Sequence, residues 1–376
     1  MEVVPRLILV NPYSAGSHAL GERGVERHLP VASQERGKAW TVEVASLPGR
    51  HWKWRMHSAA LTMVERMKAS GMLNAPVDLF LVTDMLDVGQ FRAALPPELR
   101  GVPIALYFHE NQLTFPDHPE RPSETWDRHY AFLNLTSALL AEVVWFNSEY
   151  HRRVFLDAIP SFLRQLPSPR PLQPELKIKS KSEVLPIGLE ADVLEPRPNG
   201  RFEDGPPVIA WNHRWEHDKG PAAFLNLLRS ARDRSVPFRL AVMGEAFQFQ
   251  PQAFNVMRSE FEDVIVHWGH APSRCDYLDL LASCDVALVT AHHDFYGISV
   301  LESAALGLEV VAPRELAYPD HFPKDWLYDR KDMESALVSA LTSATRRAWS
   351  DCAQQRMWSS IAGDWFDAVA RATNRK

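Results

Sequence analysis

The stretch VALVTAHHDFYGISVLESAAL, residues 286–306, passes through three regimes. Val286–Val289 is a continuous apolar run, as a strand buried on both faces requires. A polar loop follows the strand end near Thr290 and carries Gly297. Val300–Leu306 then repeats apolar residues at helical spacing and stops before Gly307. Strand, loop and helix in that order form the unit of a parallel α/β sheet. The helix start offers free backbone N–H groups and a positive dipole end, which suit a diphosphate. Glu302 lies on that helix, where its carboxylate could accept both hydroxyls of a ribose. Asp294, before the turn, could meet sugar hydroxyls. The plainer alternative is a loop-to-helix junction with solvated acids.

The same alternation extends outward through the chain. In the second half Val208–Trp211, Arg239–Met243 and Val264–His267 read as strands, with helices at Ala222–Ala231 and Cys275–Ala282. In the first half Leu7–Val10, Leu79–Val82, Ile104–Phe108 and Val143–Phe146 read as strands, with helices at Ala60–Met67 and Ala131–Leu140. A chain of 376 residues exceeds one ordinary core. The expectation is two Rossmann-like doubly wound domains, residues 1–190 and 191–353, facing a central cleft at their strand C-termini. Residues 354–376 place Trp358, Ile361, Trp365 and Val369 at helical spacing, a terminal helix that could pack back on the first domain. Many of the 28 prolines fall between 159 and 207, which reads as irregular chain containing the linker.

Three further constellations could carry chemistry. Trp211–Gly220 directly follows a strand, and its Arg214 and Lys219 could bracket a diphosphate as planar fork and point charge. Tyr107–Gln112 also follows a strand, with His109, Glu110, Asn111 and Gln112 at the exit. His109 alone reads as a structural histidine, and its polar neighbours favour a ligand role. Gly16, Ser17 and His18, in the loop after the first strand, form a weaker site lip. His292 and His293 are adjacent, so two metal ligands there do not converge, and no metal is expected.

Composition limits the partners. The net charge of −6 provides no global field for nucleic acid, so any such site is a local patch. Two basic stretches offer one: Arg50–Arg55, in which Lys53 and Arg55 interleave with Trp52 and Trp54, and a longer run that includes Arg152 and Arg153. Cations between tryptophans suit phosphate contact and base stacking. The alternatives are solvated helix faces and tryptophans packed in the core. The three cysteines form no CxxC pair, and no apolar run reaches the length of a membrane span. A cytoplasmic, membrane-free protein is the expectation.

Arg214 with Lys219, followed by Asp294 and Glu302, resembles the GT-B glycosyltransferases of family 4. More closely, Gly16–His18, His51–Arg55, Tyr107–Leu113, Phe146–Ser148 and Tyr296-Gly297…Tyr318-Pro319 resemble the tRNA-queuosine α-mannosyltransferases along nearly the whole chain. The resemblance implies a GDP-mannose co-substrate and an acceptor tRNA, tRNA-Asp in the family, carrying queuosine. It implies no cofactor and retaining, metal-independent transfer, with a β-phosphate oxygen taking the acceptor proton. It gives Glu302 the donor ribose, Arg214 and Lys219 the diphosphate, and the backbone of Phe295, Tyr296, Gly297 and Ile298 the phosphate or sugar. His109 and Asp294 go to the transferred sugar. Gly16, Ser17, His18, Asn111, Gln112, Lys53, Arg55, Arg152 and Arg153 fall on the acceptor side. Two departures stand out: Asp294 occupies a position usually held by Glu, and Ala15 one where a second glycine is common. A family 4 enzyme with a lipid, glycan or small-molecule acceptor, and a non-catalytic binding protein on the same scaffold, are the other readings. Oligomeric state is not legible.

Overall fold

The computed structural model describes residues 4–116, 127–195, 197, 205–245, 251–343 and 347–374. They fall into two compact units. The first comprises the chain up to Gly188 together with residues from Trp358 onward, and the second runs essentially from Leu189 to Met357.

The first unit contains β1 (Arg6–Ser14), α1 (Gly16–Glu35), β2 (Thr41–Pro48), α2 (Trp52–Ala69), β3 (Leu79–Thr83), α3 (Val88–Ala94), β4 (Ile104–Phe108), α4 (Asp127–Leu140), β5 (Val143–Phe146), α5 (Glu149–Arg164), α6 (Pro174–Lys179) and β6 (Ser182–Val184). Its six strands pair in parallel in the order β2-β1-β3-β4-β5-β6. Central strands such as β4 are buried at every position, which is why they read as unbroken apolar runs. β2 lies at the sheet edge and is mostly half-exposed, so its sequence lacks that signature.

The second unit contains β7 (Val208–Asn212), α7 (Pro221–Asp233), β8 (Arg239–Met243), α8 (Ala253–Glu260), β9 (Ile265–Gly269), α9 (Arg274–Ala282), β10 (Val286–Leu288), α10 (Ile298–Ala305), β11 (Glu309–Val311), α11 (Met333–Thr342) and α12 (Trp349–Gln354). Its strands are parallel in the order β11-β10-β7-β8-β9. Each sheet reverses its strand order at one point, between β1 and β3 in the first and between β7 and β10 in the second. Ligands in open parallel sheets bind outside the carboxyl ends of the strands at such points.

The last helix, α13 (Trp358–Thr373), belongs to the first unit. Trp365 lies on the Tyr107 ring at 5.2 Å and donates its indole N–H to the Pro186 carbonyl at 2.9 Å. Trp358 seats against Gly24 of α1 and Gly188, where an added Cβ would come within 2.0 and 2.5 Å of the indole.

Two sequence expectations are corrected. Gly16, Ser17 and His18 are not in a loop; they open α1, because only Ala15 separates that helix from β1. The proline-rich stretch from 159 is not wholly irregular. Pro160 sits inside α5, and α6 and β6 follow before the unit ends. Most of residues 195–207 lies outside the described residues.

Candidate active site

The two loops at the β7/β10 reversal are fastened together. The amides of His292 and His293 both donate to the Asp218 carbonyl, at 2.7 and 3.3 Å. Gly220 (φ +69°) lets the first loop cross the second so closely that a Cβ would fall 2.2 Å from the Thr290 carbonyl oxygen. The crossing delivers Lys219 into the site. Its ammonium donates to the His293 carbonyl at 2.8 Å and stands 3.1 Å from Asp218 and 3.8 Å from Asp294. Burial alone would lower the Lys219 pKa, but Asp294 and then Asp218 outweigh it and raise it. Burial would likewise raise Asp294, but Lys219 and His213 outweigh it and hold that carboxyl below its usual range. The two groups are therefore a charged pair at neutral pH. Asp294 Oδ1 also accepts the Tyr296 amide at 3.3 Å, and Oδ2 the Tyr318 hydroxyl at 3.2 Å.

Gly297 (φ +81°) turns the chain into α10, and no side chain caps that helix end. A Cβ there would meet Tyr318 at 2.9 Å, so the turn is specific to glycine. Arg214 is half-exposed and pairs with Glu216 at 3.1 Å. An uncapped helix start beside one buried and one exposed cation is an anion-binding arrangement. His213, buried next to Lys219, is held neutral with its pKa lowered to about 4, first by burial and then by that cation.

Glu302 lies a turn further along α10 with 4% of its side chain exposed. Its Oε2 accepts the Tyr277 hydroxyl at 2.7 Å, and its Oε1 meets the guanidinium of Arg274. Asn212, at the end of β7, donates to the Tyr277 oxygen at 3.0 Å, tying α9 to the sheet. Arg274 and Tyr277 were missed in the sequence, although a cation and a phenol three apart after a strand were a signal.

In the first unit Asp84, just past β3, organises the exit of β4. Its Oδ1 accepts the His109 amide at 2.8 Å and lies 3.3 Å from His18 Nε2. The His18 and His109 rings stand 4.2 Å apart. Gly21 of α1 makes room for them, since a Cβ there would lie 2.7 Å from His109 Cε1. Burial, then His18 and His151, lowers the His109 pKa well below its ordinary value. His109 is thus a neutral imidazole beside the β1/β3 reversal. Asp84 too was missed; a lone acid one residue past an apolar run was its only mark.

Several acceptor-side expectations meet a different arrangement. Asn111 is fully buried, and its Oδ1 accepts the Leu113 and Thr114 amides at 3.0 and 2.9 Å, so its carboxamide oxygen closes the loop. Gln112 is partly buried and donates to Glu110 at 3.1 Å. Arg152 is turned onto its own fold, donating to Ser182 at 2.9 Å and pairing with Glu149 at 3.1 Å. Arg153 is exposed, over the Tyr150 ring. Lys53 and Trp54 are exposed in the first turn of α2, with Arg55 half-buried beside them. The two tryptophans divide between the alternatives: Trp52 is partly buried and packs on Tyr130 at 5.2 Å, while Trp54 stands 64% exposed. Among the described residues no group of three or more His, Cys, Asp or Glu is placed to hold a metal. No described helix is long and apolar enough to cross a membrane.

Residues 6–189 match the family described as tRNA-queuosine alpha-mannosyltransferase N-terminal. The whole chain is similar to the tRNA-queuosine alpha-mannosyltransferase of Drosophila melanogaster, 27% identical over 370 residues that cover 96% of this chain and 91% of that one. Among solved structures it is similar to Anabaena HepE in complex with UDP, with TM-score 0.66, 13% identity, and 97% of this chain and 100% of that one covered. Sucrose-phosphate synthase from Thermosynechococcus elongatus gives TM-score 0.66 and 13% identity, with 98% of each chain covered. The fold is GT-B, and the chain is a glycosyltransferase.

Proposed function

We propose that this chain transfers mannose, with retention, from GDP-mannose to the cyclopentenediol of queuosine at the wobble position of tRNA. The observation that carries the reading is the relative matched along 96% of the chain, whose name is tRNA-queuosine alpha-mannosyltransferase; the donor and the acceptor hydroxyl are part of this proposal. The site chemistry supports it. In this reading Glu302 takes the ribose hydroxyls. The N-terminal turn of α10, Lys219 and Arg214 neutralise the diphosphate as the glycosidic bond breaks, so cationic side chains supply the charge stabilisation. Asp294, held ionised, accepts from sugar hydroxyls, and His109, a neutral imidazole, offers a donor or acceptor for a sugar hydroxyl. The acceptor hydroxyl attacks from the face the diphosphate leaves, and a β-phosphate oxygen takes its proton. No protein general base and no metal enters the scheme. Lys53 and Arg55, with Arg153, contact tRNA phosphates beside a stacking surface on Trp54.

The test is mass spectrometry of tRNA nucleosides after incubation of the chain with queuosine-containing tRNA and a panel of sugar nucleotides. A hexose mass added to queuosine with GDP-mannose alone is expected. The same gain with another donor, or none with any, refutes the reading.

A further inference from the structure

Glu302 is the buried acid of the donor side, yet Arg274 covers it. The acid has 4% of its side chain exposed and the arginine 35%. A nucleoside that reaches Glu302 from solvent meets the guanidinium first. Arg274 is also held from behind, with its Nε 3.2 Å from Asp192 Oδ2. Two carboxylates thus share one cation. When ribose hydroxyls take up the lone pairs of Glu302, Arg274 keeps Asp192 on Nε and has its terminal nitrogens released as a pair. A guanidinium held at Nε presents a planar two-donor fork.

The topology says which part of the donor lies there. The elements given to the diphosphate follow β7 and β10. Arg274 opens α9, which follows β9 at the opposite edge of the same sheet. A donor laid from the α10 start through a ribose on Glu302 continues toward α9 with its base. Two N–H donors in a plane match the adjacent O6 and N7 acceptors of guanine, whereas adenine presents a donor at N6.

We infer that Arg274 is the residue that selects the donor's base, leaving Glu302 on nucleotide arrival to grip the O6/N7 edge of a 6-oxopurine. The inference rests on the GDP-mannose reading above.

The experiment is a calorimetric titration of the full chain with guanosine, inosine and adenosine diphosphates, for wild type, Arg274→Ala and Arg274→Gln. Guanosine and inosine share O6 and N7, so wild type should bind both more tightly than the adenosine ligand, by about 5- to 150-fold for a bidentate contact. Arg274→Ala should bring the three affinities together. Arg274→Gln keeps a hydrogen-bonding partner for Glu302 and has the donor–acceptor pair that suits adenine, so it should lose the guanine preference without weakening toward adenosine diphosphate. If both variants retain the wild-type preference, or lose affinity for all three ligands by one common factor, Arg274 does not read the base and the inference falls. If Arg274→Ala fails to fold, the glutamine variant decides alone. A wild-type chain that does not prefer guanosine diphosphate over adenosine diphosphate refutes the donor reading itself, a result distinct from variants that keep an existing preference.

Discussion

Replacing Lys219 by alanine should damage both fold and turnover, whereas replacing Arg214 should damage turnover alone. Lys219 has 10% of its side chain exposed and stands 3.1 Å from Asp218 and 3.8 Å from Asp294. At an effective dielectric of about 20, Coulomb's law gives a gross attraction of ~5 and ~4 kcal/mol for those contacts. Desolvation of the three groups offsets much of this, and breaking a buried pair by removing one partner costs about 3–5 kcal/mol net. That is a large share of the ~5–15 kcal/mol available to an ordinary domain. Arg214 is 46% exposed and its pair with Glu216 is of the surface kind, worth about 0–1 kcal/mol. Each cation, in the proposed role, also contributes about 2–4 kcal/mol to the transition state, or roughly 30- to 900-fold in kcat/KM. The assay is denaturant unfolding of each variant beside steady-state kinetics with GDP-mannose. A double variant, Lys219→Ala with Asp294→Asn, removes one orphaned charge and should regain stability but not turnover. A Lys219→Ala protein with a wild-type unfolding midpoint, or an Arg214→Ala enzyme with wild-type kcat/KM, would refute the reasoning.

His213, His293 and His321 each have a pKa lowered to about 4, by burial first and then by Lys219 for the first two and Arg356 for the third. The unfolded chain binds their protons up to about pH 6.5, so stability should rise between about pH 4 and 6.5, by up to about 3 kcal/mol per group, and be complete above it. A melting temperature that stays flat across that window refutes this. Charge reversal at Lys53 and Arg55 together should weaken tRNA binding and flatten its salt dependence while leaving GDP-mannose affinity unchanged. Filter binding at several salt concentrations beside calorimetry with the sugar nucleotide checks it, and wild-type tRNA binding sinks the surface. Activity should survive EDTA, and loss restored by Mg²⁺ or Mn²⁺ would show that the cationic side chains do not act alone.

What the sequence disclosed follows from how each residue type is constrained. Central parallel strands must be apolar on both faces, so Ile104–Phe108 and Val208–Trp211 were legible as they stand. The edge strand β2 is mostly half-exposed and was invisible to the same rule. Lys219 and Asp294 were legible as neighbours of strand ends, but nothing local shows that two residues 75 positions apart come within 3.8 Å of one another. Glycines carry much of that meeting: Gly220 and Gly297 set the crossing and the turn, and their reasons appear only when Thr290 and Tyr318 are seen against them. Asn111 shows the opposite failure. A polar residue at a strand exit suits a ligand and a loop clasp equally, and its neighbours Leu113 and Thr114 claim its side-chain oxygen.

The return of α13 makes the second unit an insertion within the first. Trp358 seats between Gly24 and Gly188, and Trp365 lies on Tyr107, so part of the first unit's core is synthesised after the whole of the second. Domains otherwise form in order as the chain emerges. Here the earlier one waits with an unfilled apolar seat while the later one is made and folds, and the interval is a window for chaperone capture or for a wrong hydrophobic guest.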